Sequence, residues 1–460
     1  MIVSGRRAKI IATLGPSCDS LEQIREMIEA GADVLRVNTS HLNPEEAQVL
    51  YERISQARGT SSTAILVDLH GPKIRLGEVP ETHLDSGQEV SLSEKVGPNA
   101  LHLPISGLCD HVQSGDQIVL GDGAPTLLVQ EVKDDLVECR VQRAGDIRPR
   151  MGAALPHSDL RLPALTKKDH LHLQAAAPHA DWVALSFVSC SEDVRELQYA
   201  LKELGARAKT MVKIERAAAL KCLDGIIQEA DGVMVARGDL GVETGLASVP
   251  FIQEDIVKAC IAQAKPAVIA TQVMESMTHS DLPTRAEASD VAQALVEGAS
   301  ALMLSAETAT GEHPVLAVET LGELIYKVEA HLKLQPIPVP PSAGLAGSLV
   351  RAADQLATDQ AVQVMLIPTS SGRTARLAAN LGRQYVVALC TDPVVRRQLS
   401  LEKGVKAIHW DGLHGDYLPV TVLEKARQEG VIKAKRRVVV AWSHEQPDGS
   451  TVQLVAALGS

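Results

Sequence analysis

Aromatic side chains, patterned cysteines and long apolar runs are all scarce in this chain of 460 residues. Phe, Trp and Tyr make up 2 % of it, so a large core must be aliphatic and few rings remain to stack nucleic-acid bases. The seven cysteines show no CxxC or metal-ligand spacing, which is typical of a reducing cytosol. No apolar run reaches the ~20 residues of a membrane span, and the basic amino terminus lacks signal-peptide organisation. We therefore expect a cytoplasmic protein with no membrane partner.

Charge and motif content exclude further classes. The formal net charge of −12 disfavours nucleic acid as a main partner, but a locally basic site could still bind small anions. The chain has no GxxxxGK[ST] loop and no HRD or DFG motif of protein kinases. Side chains and a metal ion would therefore have to hold any nucleotide phosphate.

Strand-like apolar runs alternate with helical segments over most of the first 335 residues. The first run is KIIATLG, the last is ALMLSAE, and the count of such runs is eight. In the first helical segment we expect Asp19 as the N-cap, with Glu22 completing a capping box. The alternation predicts a (β/α)₈ TIM barrel filled by Val, Ile and Leu, in preference to a doubly wound sheet.

Two regions break this rhythm. From residue 74 to 162, short β-like segments such as TLLVQEV follow one another without a helical pattern, which predicts a small all-β domain inserted after strand 3. After the Pro-rich linker at 335–342, runs such as YVVALC alternate with helices, which predicts a C-terminal α/β domain. The predicted domains are a catalytic barrel at 1–73 and 163–335, a β-barrel lid at 74–162 and a regulatory domain at 343–460.

Charged and hydroxyl side chains follow the predicted barrel strands at their carboxyl ends, where barrel enzymes have their active sites. Two carboxylates there suit Mg²⁺ or Mn²⁺, and a lysine beside them suits the charge that develops on a phosphoryl group in transfer. A network of surface salt bridges is the alternative, because perturbed charges also cluster in structural networks. The candidates are Arg36, Asn38, Ser40, Asp68, Arg75, Lys213, Glu215, Arg237, Asp239, Thr271, Ser305 and Glu307.

Ordered motifs along the barrel resemble those of pyruvate kinase. They are KIIATLGPSC, RVNTSH, VDLHGPKIR, MVKIE, MVARGDLGVE, ATQVMESM, PTRAEASDVAQAL and LMLSAETATGEHP. The β insert and the C-terminal domain also stand where that family has them. The resemblance implies transfer of the phosphoryl group of phosphoenolpyruvate to ADP, which gives pyruvate and ATP in the last step of glycolysis. It also implies a homotetramer.

The resemblance further implies roles for single residues. Lys213 and Arg36 would stabilise the transferring phosphoryl group, and Arg75 would contact the nucleotide phosphates. Glu215 and Asp239 would hold a divalent ion, Mg²⁺ or Mn²⁺, and a second ion would arrive with the nucleotide.

By the same resemblance, Thr271 would belong to the hydroxyl and water relay that protonates the enolate, since a threonine alone is too weak an acid. Ser305 and Glu307 would support that relay; the alternative for Ser305 is a purely local hydrogen bond. The substrate carboxylate would be seated by Ala236, Arg237, Gly238, Asp239 and the backbone near Thr271.

Two positions depart from the pattern of family members that require potassium. Those members carry a threonine and a glutamate where this chain has Leu69 and Lys73. Asn38, Ser40 and Asp68 resemble the family's ligands for the monovalent cation, and we predict that Lys73 replaces that cation, so that potassium is not required. The alternative for the first two is that they cap the next helix.

A loop in the C-terminal domain is typical of a phosphate site. It joins small residues, hydroxyls and an arginine after a predicted strand, at Thr369, Ser370, Ser371, Gly372, Arg373 and Thr374. We predict allosteric regulation there by a sugar phosphate or a nucleotide; an ordinary capped helix start is the alternative. The closing loop SHEQPDGST lacks the Trp, Arg and Gly residues of relatives that bind fructose 1,6-bisphosphate.

Two rival functions stay open on the sequence. One is a metal-dependent lyase or aldolase that also holds an enolate on magnesium, and the other is a metabolite-sensing homologue without catalysis. The β insert and Arg75 favour a nucleotide-using kinase over the lyase. The presence of Lys213, Glu215 and Asp239 disfavours the inactive homologue.

Overall fold

The computed structural model describes residues 5–156, 158, 160–334, 337–412, 419–432, 437–445 and 451–458. The chain begins with the first βα units of a closed parallel barrel. The first and third strands of this barrel are buried at every residue. A single-turn 3₁₀ helix, Thr39–His41, follows the second strand. The elements are β1 (Lys9–Thr13), α1 (Leu21–Ala30), β2 (Val34–Asn38), α2 (Pro44–Arg58) and β3 (Ala64–Asp68).

The cap of α1 differs from our prediction by one position. The Ser20 hydroxyl accepts a hydrogen bond from the Gln23 N–H, and the Gln23 side chain accepts one from the Ser20 N–H. The capping box is therefore formed by these two residues, and the expected roles of Asp19 and Glu22 are wrong.

The insert after β3 is built from β-strands. Six of them form one sheet in the order β11-β7-β8-β9-β5-β6, and β10 pairs with β4. Residues 74–77 close the six-stranded sheet, because Ile74 O accepts from Ala153 N–H at 3.0 Å and Gly77 N–H donates to His102 O at 2.8 Å. The strands are β4 (Thr82–Leu84), β5 (Glu89–Ser93), β6 (Leu101–His102), β7 (Gln117–Leu120), β8 (Thr126–Lys133), β9 (Leu136–Arg143), β10 (Gly145–Ile147) and β11 (Ala153–Ala154).

The chain then returns to the barrel and completes it. The strand order around the barrel is β1-β2-β3-β12-β13-β14-β15-β16, and β16 pairs in parallel with β1. The elements are α3 (Lys167–Ala176), β12 (Trp182–Leu185), α4 (Ser191–Glu203), β13 (Lys209–Ile214), α5 (Ala217–Leu220), α6 (Leu223–Glu229), β14 (Gly232–Ala236), α7 (Arg237–Thr244), α8 (Val249–Ala262), β15 (Ala267–Ala270), α9 (Arg285–Glu297), β16 (Ala301–Leu304), α10 (Ala306–Ala309) and α11 (Pro314–Glu329).

The C-terminal domain is a five-stranded sheet with helices. Its order is β19-β18-β17-β20-β21, in which β21 alone pairs antiparallel. The elements are α12 (Gly344–Asp359), β17 (Val364–Pro368), α13 (Arg373–Leu381), β18 (Tyr385–Cys390), α14 (Pro393–Gln398), β19 (Val405–His409), α15 (Pro419–Gln428), β20 (Val438–Glu445) and β21 (Thr451–Leu458). The closed barrel, the all-β insert and this α/β domain confirm the predicted fold class.

The C-terminal domain packs against the amino-terminal end of the barrel. Asp181, which precedes β12, is buried between Arg58 at 3.1 Å and Arg397 at 2.7 Å. The next residue, Trp182, donates from Nε1 to Gln398 O at 3.2 Å. The opposite, carboxyl-terminal end of the barrel is thereby left to face the β insert. Among the described residues, the helices are too short or too polar to cross a membrane.

Candidate active site

The carboxyl ends of the barrel strands surround a cavity of about 230 Å³, the barrel-mouth cavity. It brings together side chains that are far apart in the sequence, as expected when the ends of parallel strands meet. The predicted residues that line it are Arg36, Asn38, Ser40, Asp68, Lys73, Arg75, Lys213, Glu215, Ala236, Asp239 and Thr271.

Lys213 lies at the centre of a buried ionic cluster. Its Nζ is 2.9 Å from Ser186 Oγ, 2.9 Å from Glu215 Oε1 and 3.3 Å from Asp68 Oδ1. Burial alone would lower the pKa of Lys213, but the charges of Asp68 and Glu215 raise it above its ordinary value. The ammonium is therefore held charged at the cavity wall.

Asp68, the last residue of β3, fixes Arg36 as well. Nε and Nη2 of Arg36 lie 2.8 Å and 2.7 Å from Asp68 Oδ2, and its Nη1 donates to Thr13 Oγ1 at 3.0 Å. Burial would raise the pKa of Asp68, but the charges of Lys213 and Arg36 hold it below its ordinary value. The guanidinium is thus anchored to β1 and β3 before any substrate binds.

Glu215 and Asp239, the two candidate metal ligands, share this wall. Glu215 is 1 % exposed, and its Oε2 accepts a hydrogen bond from Phe187 N–H at 2.8 Å. Burial raises the pKa of Glu215; Lys213 opposes this rise and the negative charge of Asp239 adds to it. A divalent cation would relieve this repulsion, and carboxylate oxygens are the ligands that Mg²⁺ and Mn²⁺ prefer. The residues present therefore fit such an ion.

Lys73 contacts one of these candidate ligands. Its Nζ lies 2.7 Å from Asp239 Oδ1 and 5.6 Å from the centroid of the Phe187 ring. Our hypothesis set this lysine in place of a monovalent cation held by Asn38, Ser40 and Asp68, but among the described residues its ion pair is with Asp239 and not with Asp68. Asp68 binds two other cations, Arg36 and Lys213. Lys73 still lines the barrel-mouth cavity, so its charge acts in the same site.

The other predicted ligands of a monovalent cation are engaged locally. Asn38 Oδ1 accepts from Ser40 N–H at 3.1 Å and so caps the 3₁₀ turn that follows β2. Ser40 Oγ lies 2.8 Å from His70 Nδ1. Lys168 Nζ donates to the carbonyl of Ser40 at 3.3 Å, which brings an ammonium to the turn that follows β2. The capping role left open by the sequence is therefore observed for Asn38.

Thr271, directly after β15, has an uncommon backbone conformation. Its φ is 66°, in the left-handed region that β-branched residues rarely adopt. Its Oγ1 accepts from Gly238 N–H at 3.0 Å, and its carbonyl accepts from Arg237 Nη2 at 2.8 Å. Such strain persists where the surroundings enforce it and is concentrated at functional sites. The hydroxyl is thereby fixed above the turn that carries Asp239.

Ser305 and Glu307 lie behind this wall, at the end of β16. Glu307 is 1 % exposed; its two oxygens accept from Ser305 N–H at 2.7 Å and Met274 N–H at 3.0 Å. It therefore ties the end of β16 to the loop after Thr271. Within the described part of the chain, Ser305 Oγ is buried and has no hydrogen-bond partner, which disfavours a purely local role.

Arg75 connects the barrel mouth to the β insert. Its Nη1 donates to Arg150 O at 3.1 Å, and its side chain lines the barrel-mouth cavity. An adjoining cleft is lined by Gly121 and Gly152 from the insert and by Phe187 and Asp239 from the barrel. A ligand in this cleft would touch both domains.

The candidate effector loop joins β17 to α13. Thr369 Oγ1 accepts from Gly372 N–H at 2.9 Å, and Gly372 has a φ of 76° that favours glycine. Arg373 begins the helix and is exposed. Residues 446–450 of the acidic closing loop lie outside the described residues.

Sequence reasoning missed Ser186, which lines the barrel-mouth cavity, and Lys168, which contacts the turn after β2. Ser186 directly follows β12; its Oγ donates to Leu69 O at 2.7 Å and accepts from Lys213. The rule that functional residues follow barrel strands would have found it. Lys168 lies in the first turn of α3, so that rule carries no signal for it.

Comparisons with known proteins agree with this geometry. The families "Pyruvate kinase, barrel domain" and "Pyruvate kinase, alpha/beta domain" match residues 5–318 and 347–453. A pyruvate kinase of Methylorubrum extorquens is 41 % identical over 88 % of this chain and 86 % of its own length. One of Thermotoga maritima is 36 % identical over 87 % and 88 %.

A crystal structure of a pyruvate kinase from Cryptosporidium parvum has a similar fold. Its TM-score with this chain is 0.91 and its sequence identity is 29 %, and the match covers 99 % of this chain and 97 % of that one. The chain therefore belongs to the pyruvate kinase family.

Proposed function

We propose that the barrel-mouth cavity is the catalytic centre for the reaction of this family. In that reaction the chain transfers the phosphoryl group of phosphoenolpyruvate to ADP, and pyruvate and ATP are formed. The observation that carries the proposal is the cluster of Lys213, Asp68, Glu215 and Ser186 at the cavity wall. Phosphoryl transfer depends mostly on positioning and electrostatic stabilisation, which is what a fixed cluster of charges supplies.

Lys213 and Arg36 supply the positive charge. Both are held in place by Asp68, so little reorganisation is needed when negative charge builds up on the moving phosphoryl group. Ser186 Oγ accepts from Lys213 and donates to Leu69 O, which orients the ammonium.

Glu215 and Asp239 are the residues that would hold a divalent cation, Mg²⁺ or Mn²⁺. When bound, this ion supplies positive charge to the oxygens of the substrate. The turn Ala236–Asp239 seats the substrate carboxylate, and the hydrogen bond from Gly238 N–H to Thr271 Oγ1 fixes this turn beside that hydroxyl. Arg237, paired with Asp290 at 2.6 Å, keeps this turn in place.

Proton delivery to the enolate is assigned to Thr271 with support from Ser305. The Thr271 hydroxyl is fixed at the cavity, and the buried Ser305 Oγ, which has no partner within the described residues, can join a water relay behind it. Glu307 holds the two loops together. A relay is needed because the hydroxyl of threonine is too weak an acid to act alone near neutral pH.

The insert at residues 74–162 acts as a lid over the nucleotide. Support comes from Arg75, which lies at the start of the insert, bonds to Arg150 within it and lines the barrel-mouth cavity, and from the cleft shared by both domains. Closure over such a cleft would exclude water from the transferring phosphoryl group.

Turnover without potassium is part of the proposal. Asp68 is already neutralised by Arg36 and Lys213, the ammonium of Lys73 lies on Asp239 at the barrel-mouth cavity, and that of Lys168 lies on the carbonyl of Ser40. A further monovalent cation would meet repulsion from these charges.

We also assign regulation, assembly and location to this chain by its resemblance to the family. Residues 369–374 bind a phosphorylated effector, the chain forms a homotetramer, and the protein acts in the cytoplasm, where its seven free cysteines stay reduced. Size-exclusion chromatography with light scattering checks the assembly.

The experiment that tests the function is the ADP dependence of phosphoenolpyruvate consumption. The full chain with Mg²⁺ should form pyruvate with ADP and none without it. Pyruvate formed equally fast without ADP would contradict the proposal and favour the lyase reading.

A further inference from the structure

The chain returns from the insert to the barrel through residues 155–166, which we call the return segment. Leu155 and Leu160 pack in the hydrophobic core of the insert, whereas Ala164 and Leu165 pack in that of the barrel. The change from one core to the other therefore falls within a few residues of Leu160. If the insert rotates against the barrel, the chain has to bend near this point, because hinges are formed by a few connecting residues between packed units.

An arginine of the barrel binds the return segment close to this bending point. Nη1 of Arg216 donates to Leu160 O at 3.3 Å and to Ser189 Oγ at 3.1 Å. Arg216 is only 8 % exposed, and it lines the cleft between the insert and the barrel. One nitrogen thus ties the backbone of the insert to the loop that follows β12.

The barrel side of this contact is held in place. Ser189 N–H donates to Asp193 Oδ2 at 2.7 Å, and Asp193 lies in the first turn of α4. Two residues earlier in the same loop, Phe187 N–H donates to Glu215 Oε2 at 2.8 Å. Arg216 directly follows Glu215 in the chain, so it is joined to that carboxylate through the backbone and through this loop. The return segment is therefore held relative to the wall that carries Glu215.

The two hydrogen bonds of Arg216 come from a charged donor. Such bonds are roughly twice as strong as those between neutral groups. Both acceptors lie at the junction of two domains, so the bonds stabilise one orientation of the insert and are lost in orientations that move Leu160 away.

We propose that Arg216 is a positioning residue for the nucleotide, because its hydrogen bonds hold the insert in the orientation that receives ADP. This inference rests on the proposed function, in which the insert is a lid over the nucleotide. Without the contact, other orientations of the insert gain population, and the apparent affinity for ADP falls with the fraction of the competent one. The divalent ion binds to residues of the barrel alone and should keep its affinity.

The test compares Arg216→Leu with the wild type in three measurements on the full chain. Calorimetric titration with ADP and Mg²⁺ should show roughly fivefold weaker binding or more. The affinity for Mn²⁺, followed by electron paramagnetic resonance, should be unchanged, which separates loss of the contact from damage to the neighbouring Glu215. Hydrogen–deuterium exchange of the substrate-free chain should be faster in peptides that cover residues 155–166.

Three further variants sharpen the comparison. Both contacts of Arg216 come from one nitrogen, so the ammonium in Arg216→Lys can form them both and should restore most of the affinity for ADP. Ser189→Ala removes one of the two acceptors and should weaken ADP binding less than Arg216→Leu does. Arg195→Gln is the matched control and should bind ADP as the wild type does. That exposed arginine of α4 pairs with Glu192 and Glu229, outside the described lining of the cleft.

Four results would overturn the inference. Two are unchanged affinity for ADP in Arg216→Leu and equally weak binding of ADP by Arg216→Lys. The third is a loss of Mn²⁺ affinity in step with that for ADP, which would assign the effect to Glu215. The fourth is unchanged hydrogen exchange in the return segment, because Arg216 would then not hold it.

Thermal melting checks that the variants fold, and Ser189→Ala takes the place of Arg216→Leu if the latter does not. None of the three measurements needs turnover, so the inference and the proposed function can fail separately. A wild type that binds ADP but forms no ATP contradicts the proposed function alone. A wild type that forms ATP, with the same ADP affinity in Arg216→Leu, contradicts the role of Arg216 alone.

Discussion

Replacing Lys213 by Met should remove catalysis and also weaken the fold, and the two effects can be separated. The ammonium neutralises Asp68 and Glu215, which are each 1 % exposed. Asp68 keeps Arg36 as a partner in the variant, but Glu215 keeps, within the described part of the chain, only the N–H of Phe187. Glu215 therefore becomes the unpaired buried charge.

Breaking a buried ion pair by removing one partner costs ~3–5 kcal/mol, and the surviving hydrogen bond favours the lower end of that range. For a domain of this size, ~3 kcal/mol corresponds to a fall in melting temperature of roughly 6–12 °C. Scanning calorimetry on the wild type and the variant measures this difference.

The loss of stability in Lys213→Met should depend on pH in a defined direction. The folded-state pKa of Glu215 is already raised in the wild type, and loss of the lysine raises it further. The folded variant then holds a proton that the unfolded chain has released, so its stability falls as pH rises from the ordinary glutamate pKa through the raised value. The gap in melting temperature between variant and wild type should therefore widen from pH 5 to pH 8.

The double variant Lys213→Met/Glu215→Gln separates stability from chemistry. It should regain much of the lost melting temperature, because no unpaired charge remains, yet phosphoryl transfer should stay at least ~10²-fold below the wild type. Near wild-type turnover in Lys213→Met would refute the catalytic assignment. A deficit that is independent of pH and persists in the double variant would refute the electrostatic reasoning.

Three further predictions concern metal, potassium and effector. Asp239→Asn and Glu215→Gln should each raise the Mn²⁺ concentration needed for half-saturation, measured by electron paramagnetic resonance, because a hard anionic ligand is lost. The wild type should turn over equally in tetramethylammonium and potassium buffers, whereas Lys73→Glu should lose activity without potassium and regain part of it with potassium, limited by Leu69. Arg373→Ala should keep its basal rate but lose activation by a phosphorylated effector.

Each of these has a contradicting outcome. Unchanged Mn²⁺ titrations in both carboxylate variants would reduce those residues to structural charges. Tenfold potassium stimulation of the wild type would contradict the role given to Lys73. An effector that still activates Arg373→Ala would move its site away from the loop.

The fold and most residues of the barrel-mouth cavity could be predicted from the sequence. The spacing of apolar residues indicates the strands and helices, and the position of polar residues at strand ends indicates the site. Eight apolar runs separated by helical segments leave a closed barrel as the simplest way to bury them all. In such a barrel the last residue of each strand and the residue after it lie at one end, so Asp68 and Thr271 could be assigned to a common site without knowledge of distances.

Contacts of long side chains could not be predicted in this way. Lys73 and Lys168 lie outside the strands, and their flexible stems reach whichever carboxylate or carbonyl the packing leaves available. The loop of Lys73 brings its ammonium to Asp239, since Asp68 is taken up by Arg36 and Lys213.

The most direct test of phosphoryl transfer from phosphoenolpyruvate to ADP follows the phosphorus atom that is transferred. Phosphoenolpyruvate, ADP and Mg²⁺ are mixed with the full chain, and ³¹P nuclear magnetic resonance records where the phosphoryl group goes, with Lys213→Met purified in parallel as the control. We predict that the phosphoenolpyruvate signal is replaced by the γ-phosphate of ATP in equal amount, and that the variant is at least ~10²-fold slower. Release of inorganic phosphate in place of ATP, or equal rates in the two proteins, would contradict the account.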